Sequence, residues 1–281
     1  MIKIVYDLKE HVLKETRLFI SDLDGTLLTS EKKISHLTME ALRNFTSRGN
    51  HFAICTGRDI CSARSVYDGL GLDFPGSYVI AYNGGLIYDV DNDKVIYRIG
   101  LDKGLVREIF DLAREYDIHV HTYNDDNILA REDNDCLKFY RRVIKTPPIV
   151  SDDIFPYLTV PPCKVICIEL KDHAKQESFR LAAEKRFAGR VELMYSNEYY
   201  LELIPTGSGK GNALLRLCDI LQIPREFAIA SGDGDNDISM LEAAGLGIAM
   251  INAPDSVKCR ADVVTDKDNN HDGLAPFLSF T

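Results

Sequence analysis

Leu18-Phe19-Ile20-Ser21-Asp22-Leu23-Asp24-Gly25-Thr26-Leu27 is an apolar run that opens abruptly into two carboxylates two residues apart. The run reads as a short β-strand, and Gly25 allows the backbone after it to kink so that Asp22 and Asp24 face one centre. A lone D-x-D of this kind would be an Asx-type turn. The remainder of the chain decides otherwise.

From Arg17 onward short apolar runs alternate with amphipathic stretches. The periodicity predicts a helix over Thr38–Arg48 closed by Gly49, a strand over His51–Cys55, a helix over Asp59–Leu70 and a strand over Tyr78–Ala81. Alternation of strand and helix implies a parallel sheet. At Asn83-Gly84-Gly85 the pattern changes to a hairpin, Leu86–Tyr88 and Val95–Tyr97 around an Asp- and Asn-rich turn, and this is taken as the start of an insertion. Within it a helix (Asp102–Tyr116), a strand (Ile118–Tyr123), a Pro-rich connection (Thr146–Pro162), a strand (Lys164–Leu170), a helix (Ala174–Phe187) and strands over Val191–Tyr195 and Tyr199–Ile204 make a second α/β domain. The first style resumes after Pro205, with a helix over Lys210–Leu221, a strand over Phe227–Ala230, a helix over Ile238–Ala244 and a strand over Leu246–Met250. The expected architecture is therefore α/β: a Rossmann-like parallel-sheet core with helices on both faces, split into residues 1–84 and 206–281, and an inserted α/β domain over residues 85–205. No repeat or low-complexity segment interrupts it.

In an open parallel sheet, ligands bind beyond the carboxyl ends of the strands, where residues distant in sequence converge. Four predicted strand exits carry chemistry. Asp22 and Asp24 follow the first strand; a carboxylate can attack phosphorus, and a second can shuttle the leaving group's proton. Thr56-Gly57-Arg58 follows Cys55, where a hydroxyl and backbone N–H groups can hold a phosphate oxygen. Lys210, in Gly207-Ser208-Gly209-Lys210-Gly211, can neutralise phosphate charge. This segment is not a P-loop, which would need Gly at Ile204 and Ser or Thr at Gly211. Ser231-Gly232-Asp233-Gly234-Asp235-Asn236-Asp237 concentrates carboxylates whose mutual repulsion calls for a hard cation with oxygen ligands. It is not an EF-hand, since Ile238 and Ala244 stand where that loop needs Gly and Glu.

The bulk composition narrows the partners. With 33 Lys and Arg against 43 Asp and Glu, the net charge of −10 argues against nucleic acid or an anionic membrane surface, but a small anion held by a cation and local donors fits. Seven scattered cysteines with no C-x-x-C spacing signal neither a disulfide framework nor zinc. No apolar run has transmembrane length, and residues 1 to 16 carry alternating charges where a signal peptide would be apolar, so a cytoplasmic protein is expected.

The ordered set Asp22-Leu23-Asp24-Gly25-Thr26, Thr56-Gly57-Arg58, Asn83-Gly84, Lys210-Gly211 and Gly232-Asp233-x-x-Asn236-Asp237 resembles the haloacid-dehalogenase-like hydrolase superfamily, specifically its Cof-like sugar-phosphatase subgroup. The resemblance spans most of the chain and implies that the insertion is a cap. It further implies a Mg²⁺-dependent phosphatase of small phosphorylated metabolites. Asp22 would form an aspartyl-phosphate, and Asp24 would protonate the leaving oxygen and then activate water. Thr56 and Lys210 would bind phosphoryl oxygens, with Gly57, Arg58, Asn83, Gly84 and Asn236 around the substrate. Asp22, the Asp24 carbonyl and Asp233 would hold the metal, with Asp237 and Asn236 ordering its surroundings. Two departures stand out: Gly209 precedes the lysine where the family more often has Ser or Thr, and the segment before Arg17 is longer than usual. A phosphomutase on the same fold, or a protein that binds phospholigands without turnover, are the alternatives. Polar and aromatic residues near cap strand ends, His119, His121, Tyr123, Asn124, Arg131 and Tyr195, are the candidate readers of the leaving group.

Overall fold

The structure, a computed structural model, describes residues 16–279; the long segment before Arg17, apart from Thr16, lies outside these. In chain order it lays down β1 (Leu18–Ser21), β2 (His51–Cys55), β3 (Ser77–Ala81), β4 (Leu86–Asp89) and β5 (Lys94–Arg98). Next come β6 (His119–Tyr123), β7 (Ile128–Ala130), β8 (Pro148–Val150), β9 (Val165–Ile168), β10 (Val191–Tyr195) and β11 (Tyr200–Pro205). The chain ends with β12 (Ala228–Gly232), β13 (Leu246–Ala249) and β14 (Val263–Val264). These strands form two sheets, and the chain divides into two compact units. Among the described residues, one comprises those up to Thr56, Tyr67–Ile96 and those from Gly209 on; the other comprises Gly57–Val66 and Tyr97–Ser208.

The first sheet has the order β14-β13-β12-β1-β2-β3-β4-β5. From β14 through β3 every pairing is parallel. Its central strands are apolar without alternation because both faces are covered: Leu18, Phe19, Ile20, Phe52, Ala53, Ile54, Ala228 and Ala230 are fully buried or nearly so. Phe19 packs between Phe45 of the helix His36–Ser47 and Phe52 of β2, with ring centroids 6.2 and 6.0 Å away. The strand order runs outward from β1 in one direction as 2 and 3 and in the other as 12, 13 and 14. The order thus reverses beside β1, the position at which parallel sheets open a crevice.

The structure differs from the sequence reading at the hairpin. β4 pairs antiparallel with β3, Ala81 opposite Leu86, and β5 follows at the edge, so residues 86 to 96 extend the first sheet instead of opening the insertion. The reason is local: Tyr82 and Asn83 take positive φ values of 54° and 53°, which turn the chain straight back along the strand it has left.

The second sheet has the order β10-β11-β9-β6-β7-β8 and is antiparallel except for β7 against β8. Its strands β7 and β8 and the helix Asp135–Tyr140 have no counterpart in the sequence reading; at three to six residues each they are too short to establish a period. Because side chains alternate along a strand, one face presents Val120, Leu129, Val165, Cys167, Leu201 and Leu203. These join Val106, Ile109 and Phe110 of the helix Lys103–Glu115 and Phe179 and Ala183 of the helix His173–Arg186 in one apolar core. Asp102, accepting from the N–H of Gly104 and Leu105, caps the first of these helices. The opposite face carries His119, His121 and Tyr123 on β6, Glu202 on β11, and Lys164 just before β9.

Candidate active site

Every group in the first unit's site is placed by a strand exit or a helix start. Register pairs Ser21 of β1 with Ser231 of β12 on one side and with Ile54 of β2 on the other, so Asp22, Gly232 and Cys55 stand level. Asp22 continues the ladder once more, its N–H donating to the Ser231 carbonyl at 3.0 Å, and the chain then turns, with the Leu28 N–H donating to the Leu23 carbonyl at 2.8 Å. Gly25 makes that turn at φ +84°, and a Cβ there would stand 2.4 Å from Asp233 Oδ2, so glycine is required both by conformation and by the carboxylate packed against it. Thr26 closes the same contact from the side, donating its hydroxyl to Asp233 Oδ1 at 2.7 Å.

Lys210 opens the helix Lys210–Leu221 and is fully buried. Its Nζ lies 2.6 Å from Asp22 Oδ1 and 2.6 Å from Asp237 Oδ1. The second oxygen of Asp237 accepts from the N–H of Asp233 and Gly234, at 3.0 and 2.9 Å, so this one carboxylate pins both the lysine and the acidic loop. Gly209, before the lysine, has φ +143° and ψ 147°, a conformation closed to Ser or Thr; this is the geometry behind the sequence's departure at that position. Asn236 donates to Asn83 Oδ1 at 3.1 Å, and Asn83 in turn donates its N–H to the Thr56 carbonyl at 2.9 Å. Gly84 lies against the Gly209 backbone. Thr56 is buried, its N–H bonded to the Ile80 carbonyl.

Burial sets the electrostatics. Desolvation pushes the Asp22 carboxyl up to about 7, against the pull of Lys210 and with a further push from Asp237 and Asp233. Burial raises Asp233 too, with the Thr26 hydrogen bond opposing it. Burial disfavours the Lys210 ammonium, yet the Asp22 and Asp237 carboxylates outweigh it and raise the lysine well above its ordinary value. Cys55, enclosed beside these charges, is pushed up to about 12 by burial and is an inert thiol. Asp24 differs from Asp22: its side chain is 42% exposed and pairs at 2.7 Å with exposed Lys32. One carboxylate is thus clasped in the interior and the other stands at the surface, two settings for two residues two apart.

The donor set suits a divalent cation. Asp22, Asp233 and Asp237 each offer a carboxylate oxygen within 4.8 Å of the others, and the Lys210 ammonium is the countercharge that acts on them. Hard oxygen donors in excess negative charge are what Mg²⁺ takes.

Of the residues singled out in the sequence, Asp22, Asp233, Asp237, Asn236, Asn83, Gly84, Thr56 and Lys210 are linked in the first unit as described. Gly57 and Arg58 fall in the second unit, as do the candidate leaving-group readers. Lys32 and Thr26 carry contacts that the sequence reading did not assign; the hydroxyl of Thr26, two residues past the second carboxylate, was the available signal. The acidic loop also starts later than expected, because β12 runs on to Gly232.

A model of the haloacid dehalogenase-like hydrolases matches residues 19–278. The chain is 33% identical over 282 aligned residues to a 5-amino-6-(5-phospho-D-ribitylamino)uracil phosphatase of Bacillus subtilis, covering 92% of this chain and 95% of that one. It is 29% identical to a pyridoxal phosphate phosphatase of Escherichia coli, covering 94% and 97% of the two chains. A haloacid dehalogenase-like hydrolase from Bacteroides thetaiotaomicron has a crystal structure that superposes with a TM-score of 0.84 at 29% identity, over 94% of this chain and 98% of that one. A buried carboxylate clasped by a lysine at the reversal point of a parallel sheet, on a chain matched almost end to end, places this protein in the haloacid dehalogenase-like hydrolase family, as a phosphoric monoester hydrolase of the Cof-like type.

Proposed function

We propose that the protein is a Mg²⁺-dependent phosphatase of small phosphomonoesters that works through an aspartyl-phosphate on Asp22. The observation that carries the reading is the buried clasp of Lys210 on Asp22 and Asp237, beside Asp233. Asp22 attacks phosphorus with one carboxylate oxygen while the ester oxygen leaves. Asp24, whose side chain is 42% exposed, gives that oxygen its proton and later takes one from the water that hydrolyses the acyl-phosphate. Lys210 and the Thr56 hydroxyl hold phosphoryl oxygens, so that charge is met by fixed donors. Asn83 and Asn236 brace that surround, and Gly57 and Arg58, next in the chain after Thr56, are the further candidates for binding the phosphoryl group.

Asp22, Asp233 and the Asp24 carbonyl would hold Mg²⁺, with Asp237, whose oxygens already accept three N–H donors, ordering the site. When bound, the cation supplies positive charge that neutralises the phosphoryl oxygens and keeps the raised Asp22 carboxyl ionised.

Small phosphorylated metabolites as substrates agree with the named relatives, which act on a phosphoribitylamino-uracil and on pyridoxal phosphate. In this reading the second unit is the cap domain, whose side chains read the leaving group. Among the described residues no helix is long and apolar enough to cross a membrane, and seven free cysteines suit the reducing cytoplasm.

The test is phosphate release from a panel of sugar, polyol and coenzyme-like phosphomonoesters, with and without Mg²⁺, for the wild type and Asp22→Asn. Metal-dependent release abolished by the substitution is expected. Full activity in Asp22→Asn would sink the mechanism, and interconversion of phosphate positions without release would identify a mutase.

A further inference from the structure

The polar face of the second sheet contains a buried ion pair that the reaction above does not use. Lys164, just before β9, is 3% exposed, and Glu202, in β11, is 4% exposed. Register sets Glu202 opposite Ile166, so Lys164 and Glu202 are diagonal neighbours on one face. The ammonium donates to Glu202 Oε1 at 3.0 Å and to the backbone carbonyl of Gly57 at 3.2 Å. A second tie holds the same stretch: the Thr146 hydroxyl donates at 2.6 Å to Asp59 Oδ1, which also takes the Ser62 N–H at 3.0 Å where the helix Ile60–Gly69 begins. Both Thr146 and Asp59 are buried. The residues directly after Thr56 are thus fixed by side chains 87 and 107 positions further along the chain.

A buried lysine–glutamate pair is a poor way to gain stability, because desolvating two charges offsets most of their attraction. Both ties are also incompletely satisfied: Glu202 Oε2 in the ion pair and Asp59 Oδ2 in the second tie are buried and make no hydrogen bond among the described residues. A device serving stability alone would satisfy them or be apolar. What the pair does achieve is a charged donor, aimed at one carbonyl and held there by a carboxylate that has no other hydrogen-bond partner among the described residues.

We infer that Lys164, held by Glu202, is a positioning residue for the phosphate-binding turn: it fixes the carbonyl of Gly57, the residue peptide-bonded to Thr56, and through the chain the aim of the Thr56 hydroxyl and the N–H groups beyond it. The inference rests on the reading of Thr56 given above. Lys164 touches no substrate in this account. Its effect therefore falls on the phosphoryl group that all substrates share, not on the leaving group by which they differ. It also acts through Thr56, so removing both must not multiply the two losses.

The experiment compares kcat and KM of Lys164→Met, Thr56→Ala and the double variant on two unlike substrates, a hexose phosphate and p-nitrophenyl phosphate, with inhibition by inorganic phosphate as a second readout. Lys164→Met is expected to lower kcat/KM by about ten- to hundredfold, the range for one charge-assisted hydrogen bond or a misplaced reacting group. The loss is the same on both substrates, with phosphate inhibiting more weakly in proportion. On the Thr56→Ala background the further loss is expected to be within about threefold. Glu202→Gln, which keeps the shape and weakens the hold, shows a smaller loss in the same direction, and Lys164→Arg recovers part of it. These two variants carry the comparison should Lys164→Met fail to fold. A loss confined to one substrate, or losses that multiply, would overturn the inference. If Thr56→Ala leaves kcat/KM unchanged, the Thr56 reading itself has failed. If Thr56→Ala is impaired while every Lys164 and Glu202 variant turns over at the wild-type rate, only this inference has.

Discussion

The Nζ of Lys210 lies 2.6 Å from Oδ1 of Asp22, with the lysine side chain wholly enclosed and the aspartate side chain 12% exposed. Removing the ammonium would leave two carboxylates, Asp22 and Asp237, buried without their cation. Lys210→Met is therefore expected to lower stability by about 3–5 kcal/mol and to abolish turnover. Denaturant unfolding and phosphate release on the same preparation would measure both. Wild-type stability in this variant would mean that the clasp does not hold in solution.

Asp24 makes the opposite prediction. Its pair with Lys32 is exposed on both sides, and such pairs contribute about 0–1 kcal/mol. Asp24→Asn should leave the unfolding midpoint within a degree or two while lowering kcat by about 10²–10⁴, the range for losing a general acid–base group. A large fall in stability, or an intact kcat, would remove Asp24 from the role assigned to it.

Gly25→Ala tests the metal loop without touching a ligand. The new methyl meets Asp233 at 2.4 Å on a backbone of positive φ, so the carboxylate must shift. The concentration of Mg²⁺ needed for half-maximal activity should rise roughly ten- to hundredfold, as when a ligand's supporting contact is lost, with a smaller change in kcat at saturating metal. Magnesium titration of activity decides it; an unchanged half-saturation would show that Asp233 is not among the ligands.

The second unit should be acid-sensitive. Burial pushes His119 down to about 4 and holds His121 well below its ordinary value of 6.5, with His119 and Lys164 adding repulsion at His121. A base whose folded value is depressed is neutral in the fold and protonated when unfolded. Its contribution is thus complete above about pH 6.5 and is lost as the pH falls from there toward the folded value. For one fully buried imidazole the slope is about 1.4 kcal/mol per pH unit. Unfolding of the second unit, followed between pH 7.5 and 5, should show this slope, and His121→Asn should flatten it. An equal slope in the variant would assign the acid sensitivity to other groups.

Much of this fold is legible in the sequence. The parallel core is written in long, locally consistent segments: a four-residue apolar strand, a twelve-residue amphipathic helix and a Gly stop are each diagnostic within a few residues. The candidate site residues are legible for a related reason. Asp22, Thr56, Lys210 and Asp233 sit at strand exits or a helix start, and an element boundary is itself a local signal.

What stayed illegible depends on contacts between distant positions. Residues 86–98 form the same hairpin whether they extend the first sheet or begin the second; only the pairing of Ala81 with Leu86 settles it. The difference between Asp22 and Asp24 is likewise not in the D-x-D motif, because both are plain aspartates until the fold buries one against Lys210 and leaves the other beside Lys32. The same holds for Lys164, unremarkable in sequence until β9 and β11 pair and bring Glu202 and the Gly57 carbonyl to it. Sequence by itself determined which residue types could do the chemistry and which strand ends would carry them, since backbone periodicity and turn preference act over a few residues. Tertiary structure alone decided which carboxylate is desolvated, which lysine is held and which turn is braced, since burial and charge pairing are properties of neighbours that the chain brings together only on folding.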